Sequence, residues 1–93
     1  MQWYRCIVNG RVQHVFYRKF VSQAMMRAGF QGYVRNLDDG TVEVVVWVTD
    51  EEEDLPKVRQ ILQEGSPMSH VEAIHCEEVD DIEVESDGFV VKN

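Results

Sequence analysis

The spacing of apolar residues in this 93-residue chain switches between a period of two and a period of 3.6 four times, which leaves few folds open. Over residues 3–9 the chain alternates. Tyr4, Cys6 and Val8 fall on one side and Trp3, Arg5, Ile7 and Asn9 on the other, as in a strand. Residues 10–16 read as a turn or loop. From Tyr17 the apolar positions are 17, 20, 21, 24, 25 and 28, the spacing of a helix, and Gly29 supplies a stop. Residues 32–36 form a short strand, and Asp38-Asp39-Gly40 is a hairpin turn signal. Residues 41–48 form a strand with Val42, Val44, Val46 and Val48 on one face. Thr49-Asp50-Glu51-Glu52 has capping-box spacing and opens a second helix. That helix buries Leu55, Val58, Ile61 and Leu62 and ends near Gly65, with Pro67 just beyond. Residues 71–79 read as a fourth strand and residues 89–92 as a short fifth one.

The order is β-α-β-β-α-β plus a terminal strand. Two interleaved split βαβ units give an α+β, ferredoxin-like sandwich, with one antiparallel sheet and both helices on one face. Right-handed crossovers force the first and third strands to be central. Residues 1–93 make one domain, because a chain this short cannot support a second core.

No run of eighteen apolar residues occurs, so a membrane span is not expected. The start, Met1-Gln2-Trp3-Tyr4-Arg5, has no apolar h-region behind it, and a cytoplasmic address is the default. In that reducing compartment Cys6 and Cys76 are expected to be free core thiols, a disulfide between neighbouring strands being the alternative. The net charge of −8 opposes a nucleic-acid partner. Residues 1–37 carry +6 and no acid, whereas residues 38–93 carry −14. A first third kept free of carboxylates suits an anion site; chance beside a solvated acidic tail is the plain alternative.

The informative stretch is Gly10-Arg11-Val12-Gln13-His14-Val15-Phe16-Tyr17-Arg18, which runs from a central strand into a helix. Main-chain N–H groups in such a turn, with those of the first helical turn, form a concave donor cluster for an anion. Arg18 stands at the helix start, where the helix dipole disfavours a cation. A counter-anion explains it, since the guanidinium fork holds two phosphate oxygens at once; an ordinary surface arginine is the alternative. Asn36 ends the second strand on the same side as Val34, beside the first loop if the strands pair as expected. Its carboxamide is able to hold a water in a fixed direction; a turn-capping asparagine is the alternative.

Gly10-Arg11-Val12-Gln13…Val15…Arg18 resembles the phosphate-binding loop of acylphosphatases. Gly32-Tyr33-Val34-Arg35-Asn36…Gly40-Thr41-Val42 is similar to their second signature. The resemblance implies a metal-free hydrolase without cofactor, acting on the carboxyl–phosphate anhydride of small acyl phosphates, with inorganic phosphate as product or inhibitor. It implies that Arg18 binds the phosphoryl group and Asn36 positions the attacking water. The amides of Gln13, His14, Val15, Phe16, Tyr17 and Arg18 would complete the cradle, and a monomer is expected. His14 stands where the family loop has glycine, Tyr17 where it usually has phenylalanine, and Val48 where a glycine usually closes the third strand. Glycine in a phosphate loop permits positive φ or close approach to the ligand. His14 is therefore expected to impair or alter activity, by strain or by blocking the pocket. A protonated imidazole would instead strengthen phosphate binding at low pH.

Three further readings come from the remaining residues. His70, His75 and Cys76 match no zinc spacing, and alternation puts His75 and Cys76 on opposite faces. Cys6 sits mid-strand on the core side, which disfavours a nucleophile. Trp3, Tyr33, Val45 and Trp47 are expected on the sheet face away from the helices. There they would serve a nucleic-acid or protein interaction module, a dimer contact, or nothing. A catalytically impaired phosphate-binding domain is a further alternative. So is a module of a larger carbamoyl-transfer maturation protein, which the short chain disfavours.

Overall fold

In a computed structural model, which describes residues 1–83 and 87–93, the chain runs β1 (Gln2–Arg11), α1 (Tyr17–Arg27), β2 (Gly32–Asn36), β3 (Val42–Val48), α2 (Glu51–Glu64), β4 (His70–Val79) and β5 (Phe89–Lys92). The strands form one sheet in the order β4-β1-β3-β2-β5, so β1 and β3 lie inside it as crossover handedness requires. β1 pairs antiparallel with β3 and β4, and β3 with β2. β5 departs from the expected antiparallel sheet: it joins β2 in parallel. The chain reverses after β4, and β4 is itself antiparallel to β2 in direction, so the returning β5 must run with β2.

Alternation decides which residues enter the core. Tyr4, Cys6 and Val8 of β1 and Val42, Val44, Val46 and Val48 of β3 are buried on the helix side. Each fully buried valine contributes about 1.5–3 kcal/mol. α1 covers them with Tyr17, Val21 and Met25, and α2 with Val58 and Leu62, while Leu55 and Ile61 pack at the margin. Phe20 fits the helical spacing but stays 39% exposed, at the margin of the buried face formed by Tyr17, Val21 and Met25. No helix among the described residues is long and apolar enough to cross a membrane.

The two helix starts differ. In α2 the cap is Asp50, not Thr49 of the expected capping box. Its carboxylate accepts from the N–H groups of Glu52 and Glu53, 3.1 and 3.4 Å away. Four acids follow in the first turn, where the dipole favours them. Thr49 instead donates to Asp54, which draws the two residues together before the cap forms.

On the opposite sheet face Trp3 and Trp47 are cross-strand partners, packed edge to face with centroids 5.0 Å apart. Val45 and Tyr33 are buried beneath neighbouring side chains. Glu43, also buried, is held by Arg5 and Arg35 at 2.5 and 2.6 Å. Burial by itself would raise the Glu43 pKa, but the two guanidinium groups overcome that and hold it below the ordinary glutamate value. The aromatic residues expected there thus pack on this face beside an ion triad, Tyr33 buried and the two tryptophans half-buried against each other. They are not a row of free rings.

Cys6 and Cys76 do not remain free thiols; they form a disulfide. The β1–β4 register sets them directly opposite, with Cα atoms 4.0 Å apart, on the core side of the sheet. His75 pairs with Ile7 and faces the other way, as alternation requires.

Candidate active site

The loop between β1 and α1 is bent, pinned and turned outward by identifiable contacts. The β1–β4 register slips between Asn9 and Gly10, and Gly10 sits at φ 131°. A Cβ there would lie 2.1 Å from the His70 carbonyl oxygen, so only glycine lets the edge strand come this close. The bulge swings the chain out of the sheet. Gln13 then reaches across to the β2–β3 hairpin, its Nε2 donating to the carbonyls of Leu37 and Thr41, both at 2.8 Å. Val15 is buried, and its carbonyl accepts from Ser66 Oγ at 2.6 Å. In a trans peptide the N–H points opposite to the carbonyl, so this contact aims the Phe16 N–H away from Ser66.

His14, between these two anchors, and Phe16, just after them, have φ of 63° and 62°. Left-handed backbone at such residues costs about 1–3 kcal/mol each. The alternation of left-handed and ordinary residues curls the loop into a nest. Phe16 caps α1 with no side-chain hydrogen bond, and the first turn holds no acid. The first helical main-chain bond is Phe20 N–H to Phe16 C=O, 3.1 Å. Among the described residues, no N–H of residues 14–19 donates to a main-chain acceptor. α2 satisfies its own N-terminus with Asp50; α1 leaves the same donors open and adds Arg18.

A cavity of about 500 Å³ opens over these donors. His14, Phe16, Tyr17, Arg18 and Asn36 all line it, with Val12, Lys19, Ser22 and Val91. The half-buried Arg18 is steadied by one contact, Nη1 to the Lys92 carbonyl at 3.2 Å. A guanidinium carries five N–H donors, so the fork keeps capacity for an anion. Asn36 pairs with Val42 and faces the core side, beside the loop, as alternation predicts. Its Oδ1 is buried without a hydrogen-bond partner among the described residues. An unsatisfied buried acceptor costs about 1–3 kcal/mol, and such an atom calls for an explanation.

Two of the expected cradle residues turn their side chains away from the cavity. Gln13 is a buckle and Val15 an anchor, so any part they take in binding is through main-chain N–H groups. Tyr17 uses the hydroxyl that phenylalanine lacks: it donates to the Leu62 carbonyl at 2.7 Å and closes α1 onto α2. Burial pushes its pKa above the ordinary tyrosine value. Sequence reasoning missed Lys19, Ser22 and Val91. Ser22 was legible, four residues after Arg18 on the same helix face. Val91 was not, because its place depends on β5 returning beside β2.

The acylphosphatase family model matches residues 4–91. The chain belongs to the acylphosphatase family. It is accordingly a hydrolase. An acylphosphatase from Halorhodospira halophila is 42% identical over 77 residues, covering 83% of this chain and 82% of the relative. One from Bacillus licheniformis is 42% identical over 89 residues, covering 96% and 92%. The crystal structure of acylphosphatase from Bacillus subtilis superposes with a TM-score of 0.85 at 34% identity and covers all of both chains. These likenesses bear out the fold and family expected from the two signatures.

Proposed function

We propose that the chain hydrolyses small acyl phosphates by phosphoryl transfer to water, with the phosphate in the loop cradle. The observation that carries this reading is the buried, unpartnered Asn36 Oδ1 in the cavity that Arg18 also lines. The phosphoryl oxygens take the open N–H groups of the loop and first helical turn, and the Arg18 fork closes over two of them. Asn36 Oδ1 accepts a hydrogen from the attacking water and so aims its lone pair at phosphorus. The new P–O bond forms as the bond to the acyl oxygen breaks, and the carboxylate departs with that electron pair. A carboxylate leaves without protonation, so positioning and charge stabilisation suffice and the reaction calls for no metal. The water's remaining proton passes to a phosphate oxygen. The products are a carboxylate and inorganic phosphate, which is an inhibitor by the same contacts.

The proposal is of a monomer without a nucleic-acid partner. The net charge of −8 supports the last point, as does the packing of Trp3 against Trp47 and the burial of Tyr33. Benzoyl phosphate hydrolysis with phosphate inhibition tests the reading. Arg18→Ala should abolish phosphate inhibition. Asn36→Ala should cut turnover and leave phosphate affinity largely intact. Full turnover in Asn36→Ala removes the water role. Phosphate binding without turnover in the native chain makes it an impaired binding domain.

A further inference from the structure

We propose that Phe16 and Val91 form an apolar lip that selects acyl phosphates with an aromatic or bulky apolar acyl group; this rests on the reaction proposed above and names its substrate class. A cavity of about 500 Å³ is far more than a tetrahedral phosphate fills. It lies in the range of sites for small organic ligands. Arg18, Asn36 and the loop amides take the phosphate at the inner wall. The acyl group must therefore point toward the mouth.

The mouth has a definite chemistry. Phe16 is 70% exposed and Val91 45% exposed, yet both line the cavity. Both stand close in the chain to the guanidinium or its partner. Phe16 precedes Arg18 by two residues, and Val91 precedes Lys92, whose carbonyl receives Arg18 Nη1. Phe16 also holds a left-handed φ of 62° that a glycine would adopt freely. A large ring kept in solvent on strained backbone, beside the anion donors, is accounted for by a ligand that covers it. Among the described residues no carboxylate lines the cavity; its basic side chains are Arg18, Lys19 and His14. An aromatic ring or branched chain on the acyl carbon meets the Phe16 face and the Val91 methyls as it leaves the phosphate.

The test compares kcat/KM for benzoyl phosphate and acetyl phosphate, with the inhibition constant of inorganic phosphate measured alongside. The native chain should favour benzoyl phosphate. Phe16→Ala should lower the benzoyl-to-acetyl ratio about tenfold, chiefly through KM. Phe16→Gly, which removes the ring and suits the backbone, should do the same. Val91→Ser should lower the ratio in the same direction, and Phe16→Leu should restore part of it. A ratio that does not move, or equal losses on both substrates, overturns the lip while leaving the hydrolase intact. A native chain that hydrolyses neither acyl phosphate overturns the parent reaction and the lip together.

Discussion

The Gln13 side chain donates to the Thr41 carbonyl at 2.8 Å, and through this contact the β1–α1 loop is fastened to the hairpin that carries Asn36. The same Nε2 donates to Leu37, the residue that follows Asn36. Loop and strand end therefore move as one body. The amides that would hold phosphate and the carboxamide that would aim water keep a fixed separation.

Gln13→Ala should uncouple the two. It removes two hydrogen bonds of about 1 kcal/mol each. A urea titration is expected to register a loss of about 1–2 kcal/mol. Turnover should fall more than phosphate affinity does. A variant that loses stability but keeps native turnover shows that the buckle serves the fold alone.

His14→Gly should be stabilising. His14 holds φ 63° and its side chain is exposed, so glycine gives up little contact and relieves the backbone. A gain of about 1 kcal/mol in urea unfolding is expected. Hydrolysis should also rise, because the imidazole lines the cavity proposed to take substrate. Unchanged hydrolysis at higher stability means the fold already absorbs the side chain.

Glu43→Gln should make stability less sensitive to acid. The folded Glu43 pKa lies below the ordinary value. Its contribution is therefore complete above the unfolded pKa of about 4.3 and is lost as pH falls through the folded value. The two arginines are 34% and 40% exposed, so solvent screening trims the contribution at neutral pH to about 1 kcal/mol. Urea midpoints of native and variant protein should differ at pH 7 and converge below about pH 4. A gap that widens on acidification contradicts the assignment.

The Cys6–Cys76 bond should matter for stability and not for the site. It closes a 70-residue separation, for which loop entropy predicts a stabilisation on the order of 4 kcal/mol. It joins β1 to β4, at the sheet edge opposite β2 and β5, which border the cavity. Dithiothreitol, or Cys76→Ala, should lower the urea midpoint and leave benzoyl phosphate hydrolysis at 25 °C unchanged. No shift in the midpoint means that the bond is not formed in solution.

Much of the fold is legible because period-two and period-3.6 segments are local signals. Val42, Val44, Val46 and Val48 declare a strand with one buried face, and all four are buried. Tyr17, Val21 and Met25 mark the inner face of α1. That Asn36 shares the core side with Val34 follows from the same rule, which is why its place beside the loop was readable. In the loop itself the rule fails. Polar Gln13 turns inward and apolar Phe16 outward, each against its character and on a backbone that is left-handed at 14 and 16, so the directions of these side chains had no sequence signal.

The chain by itself determined its elements, their order, the faces they bury, and the two signatures that name a family. Those properties depend on neighbours within a few residues. Tertiary structure alone decided that Cys76 meets Cys6, that β5 runs parallel to β2 and brings Val91 to the cavity, and that Asn36 Oδ1 is buried without a partner among the described residues. Each of these depends on a strand register or a sheet order. Such relations join residues far apart in the chain, and local spacing carries no record of them.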